Sequence, residues 1–305
     1  MTSLARHQSN EYTKLLVLGD SGSGKSGALA SLVKSGYHLR IVDMDNGLET
    51  LKQYILKECP EKIEGVEFRT LRDKRKASPS GPIIDGAPKA FVEAIRMLDR
   101  WRYVDAEGNE IDYGVPAQWG PDCILVIDSL TFLSDAAFDF REPLTPKSKT
   151  SGQFDVRAVY KDAQDAIEGV LALLTSEEFR TNVIVIAHVR YVDNPDGSKK
   201  GYPTAVGSAL SPQIPRYFNT VALFQTKAGG KRTLHTAATA MIDLKNPKPF
   251  EMAKEYPIET GLADLFKVLR EPPQQQEEPT PISIPTPKSQ PTSKSRVITP
   301  LRRKI

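Results

Sequence analysis

The run Gly19-Asp20-Ser21-Gly22-Ser23-Gly24-Lys25-Ser26 constrains this chain more than any other feature, because it meets the pattern G-x-x-x-x-G-K-[ST] at every fixed position. Such a loop works only between a strand and a helix. Lys14 to Leu18 is an apolar run that reads as a buried strand, and between Gly24 and Lys34 the residues Ala28, Leu29 and Leu32 recur at helical spacing. Glycines in the loop admit backbone angles closed to other residues and let main-chain N–H groups turn inward around an anion. All eight residues from Gly19 to Ser26 are therefore expected to hold a nucleoside triphosphate, taken as ATP. Lys25 reaches the β- and γ-phosphates as a point charge, and the Ser26 hydroxyl ligands the Mg²⁺ that bridges them.

Composition sets wide bounds around that loop. A chain of 305 residues, 39% apolar and 26% charged, is long enough for one domain with a full core plus a tail. The net charge of +3 gives no global basic character, so any surface for nucleic acid must be local. Cys59 and Cys123 lack C-x-x-C spacing and read as buried free thiols of a reducing, cytoplasmic setting. No apolar run approaches the roughly 18 residues of a membrane span, and Met1 to Asn10 is polar, so neither membrane nor secretory signal is expected.

Along the chain, residues 1–13 read as a flexible arm, 14–270 as one domain and 271–305 as a disordered tail rich in Pro, Gln, Ser and Thr with a basic end. Candidate strands are Leu15 to Leu18, Leu39 to Asp43, Glu67 to Leu71, Ile124 to Ile127, Val183 to Ala187 and Val221 to Gln225. Candidate helices are Lys25 to Lys34, Glu49 to Leu56, Pro88 to Trp101 and Val156 to Leu174. Their alternation predicts an α/β fold with a mainly parallel sheet flanked by helices. A small hairpin is expected over Tyr103 to Tyr113, and a second at the sheet edge, where Arg232 to Ala238 returns beside Val221 to Gln225 across Gly229-Gly230.

Ile124-Leu125-Val126-Ile127-Asp128 has the form of a Walker B strand, with Asp128 as the second Mg²⁺-holding residue. Hydrolysis also needs a carboxylate to orient or deprotonate water, and Asp43 and Asp45 both stand at the end of the strand beginning at Leu39. Alternation along an extended strand places both on one face, so the sequence does not separate them.

These motifs together resemble the RecA-like ATPases, the group of RecA and the DnaB-type helicases, over about Lys14 to Phe250. The resemblance implies a RecA-like core and makes Asp45 the water-activating residue, with Asp where Glu is usual. It also implies that His188, after Val183 to Ala187, senses the γ-phosphate, and that Lys245 is a cationic finger inserted into a neighbour's site, ahead of Lys248 and Arg232. Ile127 to Thr131, Gly201-Tyr202-Pro203-Thr204 and Asp243-Leu244-Lys245-Asn246-Pro247 resemble the phage-encoded members of the single-strand annealing and recombination type. A homo-oligomer, ring or filament, acting on single-stranded DNA follows from that resemblance, with replication or recombination proteins recruited through the tail.

Two segments expected to be irregular follow core strands on the loop's side of the sheet. Phe140 to Phe154 carries Arg141, Lys147 and Lys149, and Arg190 to Tyr217 carries Arg190, Tyr191, Lys199, Lys200, Tyr202 and Arg216. Cations with interleaved aromatics suit a single strand, charge for phosphates and rings for bases. Two other functions remain open. A P-loop kinase of a small acceptor would use Arg72, Lys74, Arg75 and Lys76 as a lid, and a nucleotide-dependent scaffold would bind without hydrolysis or DNA.

Overall fold

The computed structural model describes residues 11–105, 107–146 and 155–271. In chain order the first half holds β1 (Lys14–Gly19), α1 (Lys25–Ala28), α2 (Ala30–Lys34), β2 (His38–Asp43), α3 (Glu49–Glu58), β3 (Val66–Thr70), β4 (Arg75–Lys76), β5 (Ile83–Ile84) and α4 (Ala90–Asp99). Next come β6 (Arg102–Val104), β7 (Glu110–Asp112), β8 (Gly120–Asp128), α5 (Leu130–Arg141), α6 (Val156–Thr175) and β9 (Thr181–Ala187). The chain continues with β10 (Val189–Asp193), β11 (Lys199–Pro203), β12 (Thr220–Thr226), β13 (Arg232–His235), β14 (Glu255–Pro257) and α7 (Gly261–Arg270).

Eight strands form one sheet in the order β14-β13-β12-β1-β9-β8-β2-β3. From β12 to β3 every neighbour is parallel, while β13 runs antiparallel to both β12 and β14. This is the expected mainly parallel sheet of an α/β core. The central strands are apolar throughout because both faces are covered, and alternate residues feed two cores. Leu16, Leu18, Val42, Leu125, Ile127 and Val185 pack with α4, α5 and α6. Leu15, Val17, Ile41, Val126, Ile184 and Phe224 pack with the helices α1, α2, α3 and α7 of the other face. At its start β1 buries the Lys14 ammonium, which donates to the carbonyls of Phe179 (2.6 Å) and Thr181 (2.8 Å). Just before it, Thr13 is already buried, its N–H donating to Asn182 Oδ1 at 2.9 Å.

Four expectations are corrected. The helix from Lys25 to Lys34 is two short segments around Leu29, whose N–H tightens onto Ser26 O. The hairpin with β12 is not at the edge, because Glu255 to Pro257 returns outside β13. The segment after Arg190 opens as a regular ribbon, β10 antiparallel to β11, with Gly197 donating to Asn194 O at its tip. Phe140 and Arg141 end the helix α5 rather than begin a loop, while Lys147, Lys149 and the segment to Phe154 lie largely outside the described residues. The hairpin of β6 and β7 is as expected. Both cysteines are free and buried. Among the described residues no helix is long and apolar enough to cross a membrane. The tail from 272 onward and residues 1–10 are outside the described residues.

Candidate nucleotide site

The parallel strands β1, β2, β8 and β9 end side by side, and the connections leaving them converge on one edge of the sheet. There β1 gives way to the glycine loop. Gly22 (φ 75°) and Gly24 (φ 93°) hold left-handed backbone angles that favour glycine. Gly24 is also crowded, since a Cβ there would run into Ile258 Cδ1. The Lys25 ammonium lies at the mouth of the loop on the carbonyls of Gly19 (2.9 Å) and Asp20 (2.8 Å). Burial holds it below the ordinary lysine range, opposed by Asp128, Asp45 and Asp20. Ser23 Oγ is buried without a partner inside the same loop.

Next to Lys25, Ser26 Oγ donates to Asp128 Oδ2 at 2.6 Å. Strand β8 places Asp128 at its last position, 2% exposed, and burial pushes its carboxyl up to about 6. Ser26 and Asp128 thus present two hard oxygen donors to one point beside the loop, the chemistry that suits Mg²⁺. The narrow glycine cradle and the unpaired Ser23 hydroxyl fit the phosphates that such an ion accompanies.

The two acidic candidates separate sharply. Strand β2 ends at Asp43 and the chain turns through Asn46 in a left-handed conformation, so the alternation that would align Asp43 with Asp45 does not hold. Asp43 is consumed by the fold: its carboxylate accepts from Thr70 Oγ1 (2.7 Å) and from the backbone N–H of Asn46 (2.8 Å). Asp45 faces the site instead. Its Oδ1 accepts from Ser129 Oγ at 2.9 Å, and its Oδ2 lies 3.5 Å from His188 Nε2. Burial raises the Asp45 carboxyl, while burial and then Lys25 lower the His188 imidazole, which keeps that ring largely neutral.

His188 sits between β9 and β10 and is held by a closed set of hydrogen bonds. Its N–H donates to Thr131 Oγ1 (3.1 Å), Thr131 Oγ1 donates to Thr204 O (3.0 Å), and Thr204 N–H returns to His188 O (2.7 Å). Thr131 therefore ties the first turn of α5 to both ends of the ribbon. The sequence reading missed Thr131 and Ser129; the spacing of Leu130, Leu133 and Ala137 was the available sign of the helix that positions them. Phe132 on the same turn meets the His188 ring edge-on, 6.1 Å between centroids.

The remaining candidates are more scattered. In the ribbon Arg190 is exposed opposite Tyr202, and Tyr191 faces the other way, its phenol raised by burial and by the Asp20 carboxylate. Lys200 pairs with Asp243 (2.7 Å), Lys199 lies 3.7 Å from Asp193, and Arg216 pairs with Glu168 (3.2 Å). Arg141 keeps its Nε buried without a partner beside the Phe140 ring. The Lys245 ammonium donates to Pro215 O (2.7 Å) and Phe218 O (3.1 Å), two acceptors of its own chain. Of the basic run, Arg75 pairs with Asp139 (2.7 Å), Lys76 with Asp85 (2.8 Å), and Arg72 reaches Asp45 O at 3.4 Å. A groove on the outer side of the loop, not foreseen as a site, is lined by Gly24, Gly27, Tyr54, Arg232, Ile258 and Glu259.

Among solved structures the chain is similar to the RadB recombinase, with 17% identity, a TM-score of 0.43 and coverage of 82% of this chain and 89% of that one. It is also similar to an ATPase of the type III secretion system of pathogenic bacteria (12% identity, TM-score 0.39, 70% of this chain and 52% of that one). For EscN from enteropathogenic E. coli, the figures are 14%, 0.35, 70% and 43%. The chain thus spans about half the length of the secretion ATPases, and no residue role is taken from any of these likenesses. No curated protein matches it. A family model described as an AAA domain, AAA_24, matches residues 11–247, a stretch that holds the glycine loop, Asp45, Asp128 and His188. The chain belongs to that family and is an AAA-type P-loop ATPase.

Proposed function

We propose that this ATPase couples ATP hydrolysis to single-stranded DNA in phage recombination or replication, working as a homo-oligomer. One observation carries the reading. Strand β9 delivers His188 beside Asp45 and continues at once into the β10–β11 ribbon, so a ligand on the ribbon and a nucleotide in the loop act on one backbone segment. Exposed Arg190 and its cross-strand neighbour Tyr202 supply charge and a ring on one face, which is what a phosphate backbone and an unstacked base require. Lys199 and Lys200 add charge along β11, and Arg141, Lys147 and Lys149 are assigned to a second contact.

In hydrolysis the loop N–H groups and Lys25 hold the phosphates. Mg²⁺, when bound at Ser26 and Asp128, neutralises charge on the phosphate oxygens. Asp45 orients the attacking water and takes its proton, its basicity raised by burial and its position set by Ser129. His188 remains neutral and positions the γ-phosphate end, reporting its presence to the ribbon. Lys245 completes a neighbour's site only by leaving the Pro215 and Phe218 carbonyls, which makes oligomer assembly the step that frees it. Residues 271–305 serve as the recruiting tail for replication or recombination proteins.

The test is the ATPase rate with and without single-stranded DNA, together with the mass of the complex. Stimulation by DNA and growth of the assembly are expected, and Lys25→Ala should abolish nucleotide binding with the fold retained. A rate and a mass both indifferent to DNA refute the DNA reading and favour the scaffold; phosphate transfer to a small acceptor in place of water favours the kinase. Mixing Lys245→Ala with Lys25→Ala subunits should restore part of the activity, and no recovery removes the finger.

A further inference from the structure

Arg232 opens β13, far from the glycine loop in sequence, yet its side chain lies against Gly24. A Cβ built at Gly24 would stand 3.3 Å from Arg232 Cδ and 3.6 Å from Arg232 Nη1. Arg232 as a residue is half-buried, and among the described residues its guanidinium forms no hydrogen bond and no ion pair. Glu259 lines the same groove without coming within ion-pair reach.

That combination is not explained by packing. The approach to Gly24 needs only an alkyl chain, so the charged fork at its end, with no protein partner and open to solvent, is available to a ligand. A planar, permanently charged fork is the group that suits phosphate oxygens. Lys25 already supplies one cation at the loop, and Arg232 lines the groove that Gly24 also borders.

We infer that Arg232 is a nucleotide-binding residue of its own subunit, offering its guanidinium to the substrate phosphates from the groove flank of Gly24. It thus acts in cis and is not a finger for a neighbour. The side chain reaches its own loop across the β12–β13 turn, so the order of β13 next to β12 and β1 is what makes it available.

The experiment compares wild type, Arg232→Met and Arg232→Lys by equilibrium titration with a fluorescent ATP analogue and with ADP. Methionine keeps an alkyl chain beside Gly24 and deletes the charge; lysine keeps the charge and deletes the fork. Arg232→Met should bind about 10- to 100-fold more weakly, the range of one hydrogen bond to a charged group, with a shallower salt dependence and an unchanged Tm without nucleotide. Arg232→Lys should fall between the two. Affinity of Arg232→Met within about twofold of wild type overturns the assignment. So does restoration of ATPase activity when Arg232→Met is mixed with Lys25→Ala subunits, because that outcome makes the residue trans-acting. Wild-type protein offers a measurement independent of variant folding. ADP should protect Arg232 from an arginine-selective dicarbonyl, read by peptide mass spectrometry, and equal modification with and without ADP refutes the contact.

Discussion

Gly22 and Gly24 differ in one respect that a stability measurement can isolate. Both hold positive φ, 75° and 93°, but nothing lies within 4 Å of a Cβ at Gly22, whereas a Cβ at Gly24 would run into Ile258 Cδ1. Replacing either by Ala costs the left-handed backbone strain, about 1–2 kcal/mol. At Gly24 the added methyl must also push aside Ile258 Cδ1, the end of a flexible and half-buried side chain, at a further cost of about 0.5–1.5 kcal/mol for an off-rotamer shift. Gly24→Ala is therefore expected to lower the unfolding free energy by about 1.5–3.5 kcal/mol and Gly22→Ala by about 1–2. Ile258→Ala makes room for the new methyl, so in the double variant most of the excess at Gly24 should vanish, giving a coupling energy of about 0.5–1.5 kcal/mol. Urea unfolding without nucleotide supplies all four values, since the comparison concerns the fold and not the ligand. Equal losses for the two glycine variants, or strict additivity with Ile258→Ala, would show that β14 and its exit do not press on the loop.

Asp45→Asn should leave nucleotide affinity nearly intact and slow hydrolysis by about 10²–10⁴, the range for a positioned general base, while Asp43→Asn should chiefly destabilise the fold; rates and melts showing the reverse pattern exchange the two roles. Thr131→Val removes the hydroxyl that joins His188 N–H to Thr204 O, and hydrogen exchange across residues 189–203 should quicken while that of β1 stays unchanged. An unaltered ribbon in that experiment dismisses the closed set of bonds as a brace. Burial lowers Lys14 from 10.5 to about 7, so the native state binds fewer protons than the unfolded chain between those values and stability should rise with pH across that window. Lys14→Met abolishes the contribution, and the difference between variant and wild type should change by up to about 1.4 kcal/mol per pH unit from pH 7 to 10. Parallel stability curves for the two proteins in that range contradict the shift.

What the sequence determined by itself is local in origin. The glycine loop, the apolar strand before it and the carboxylate ending β8 are each set by residues within a few positions, so nucleotide binding and the parallel α/β core were legible without any tertiary information. The ribbon's turn at Asn194 to Gly197 was legible for the same reason, but its strands were not, because β10 is largely exposed and β11, Lys-Lys-Gly-Tyr-Pro, carries little apolar alternation. The helix α5 was missed although Leu130, Leu133 and Ala137 mark its buried face. Only the tertiary structure set Asp43 and Asp45 in different surroundings, through where β2 stops and through Thr70 and Ser129, which strand order brings near. It also moved Lys245 onto Pro215 and Phe218 and brought Arg232 to Gly24. Long side chains find partners by sheet order and burial, which no local pattern encodes, whereas a phosphate cradle is made by the backbone of eight consecutive residues.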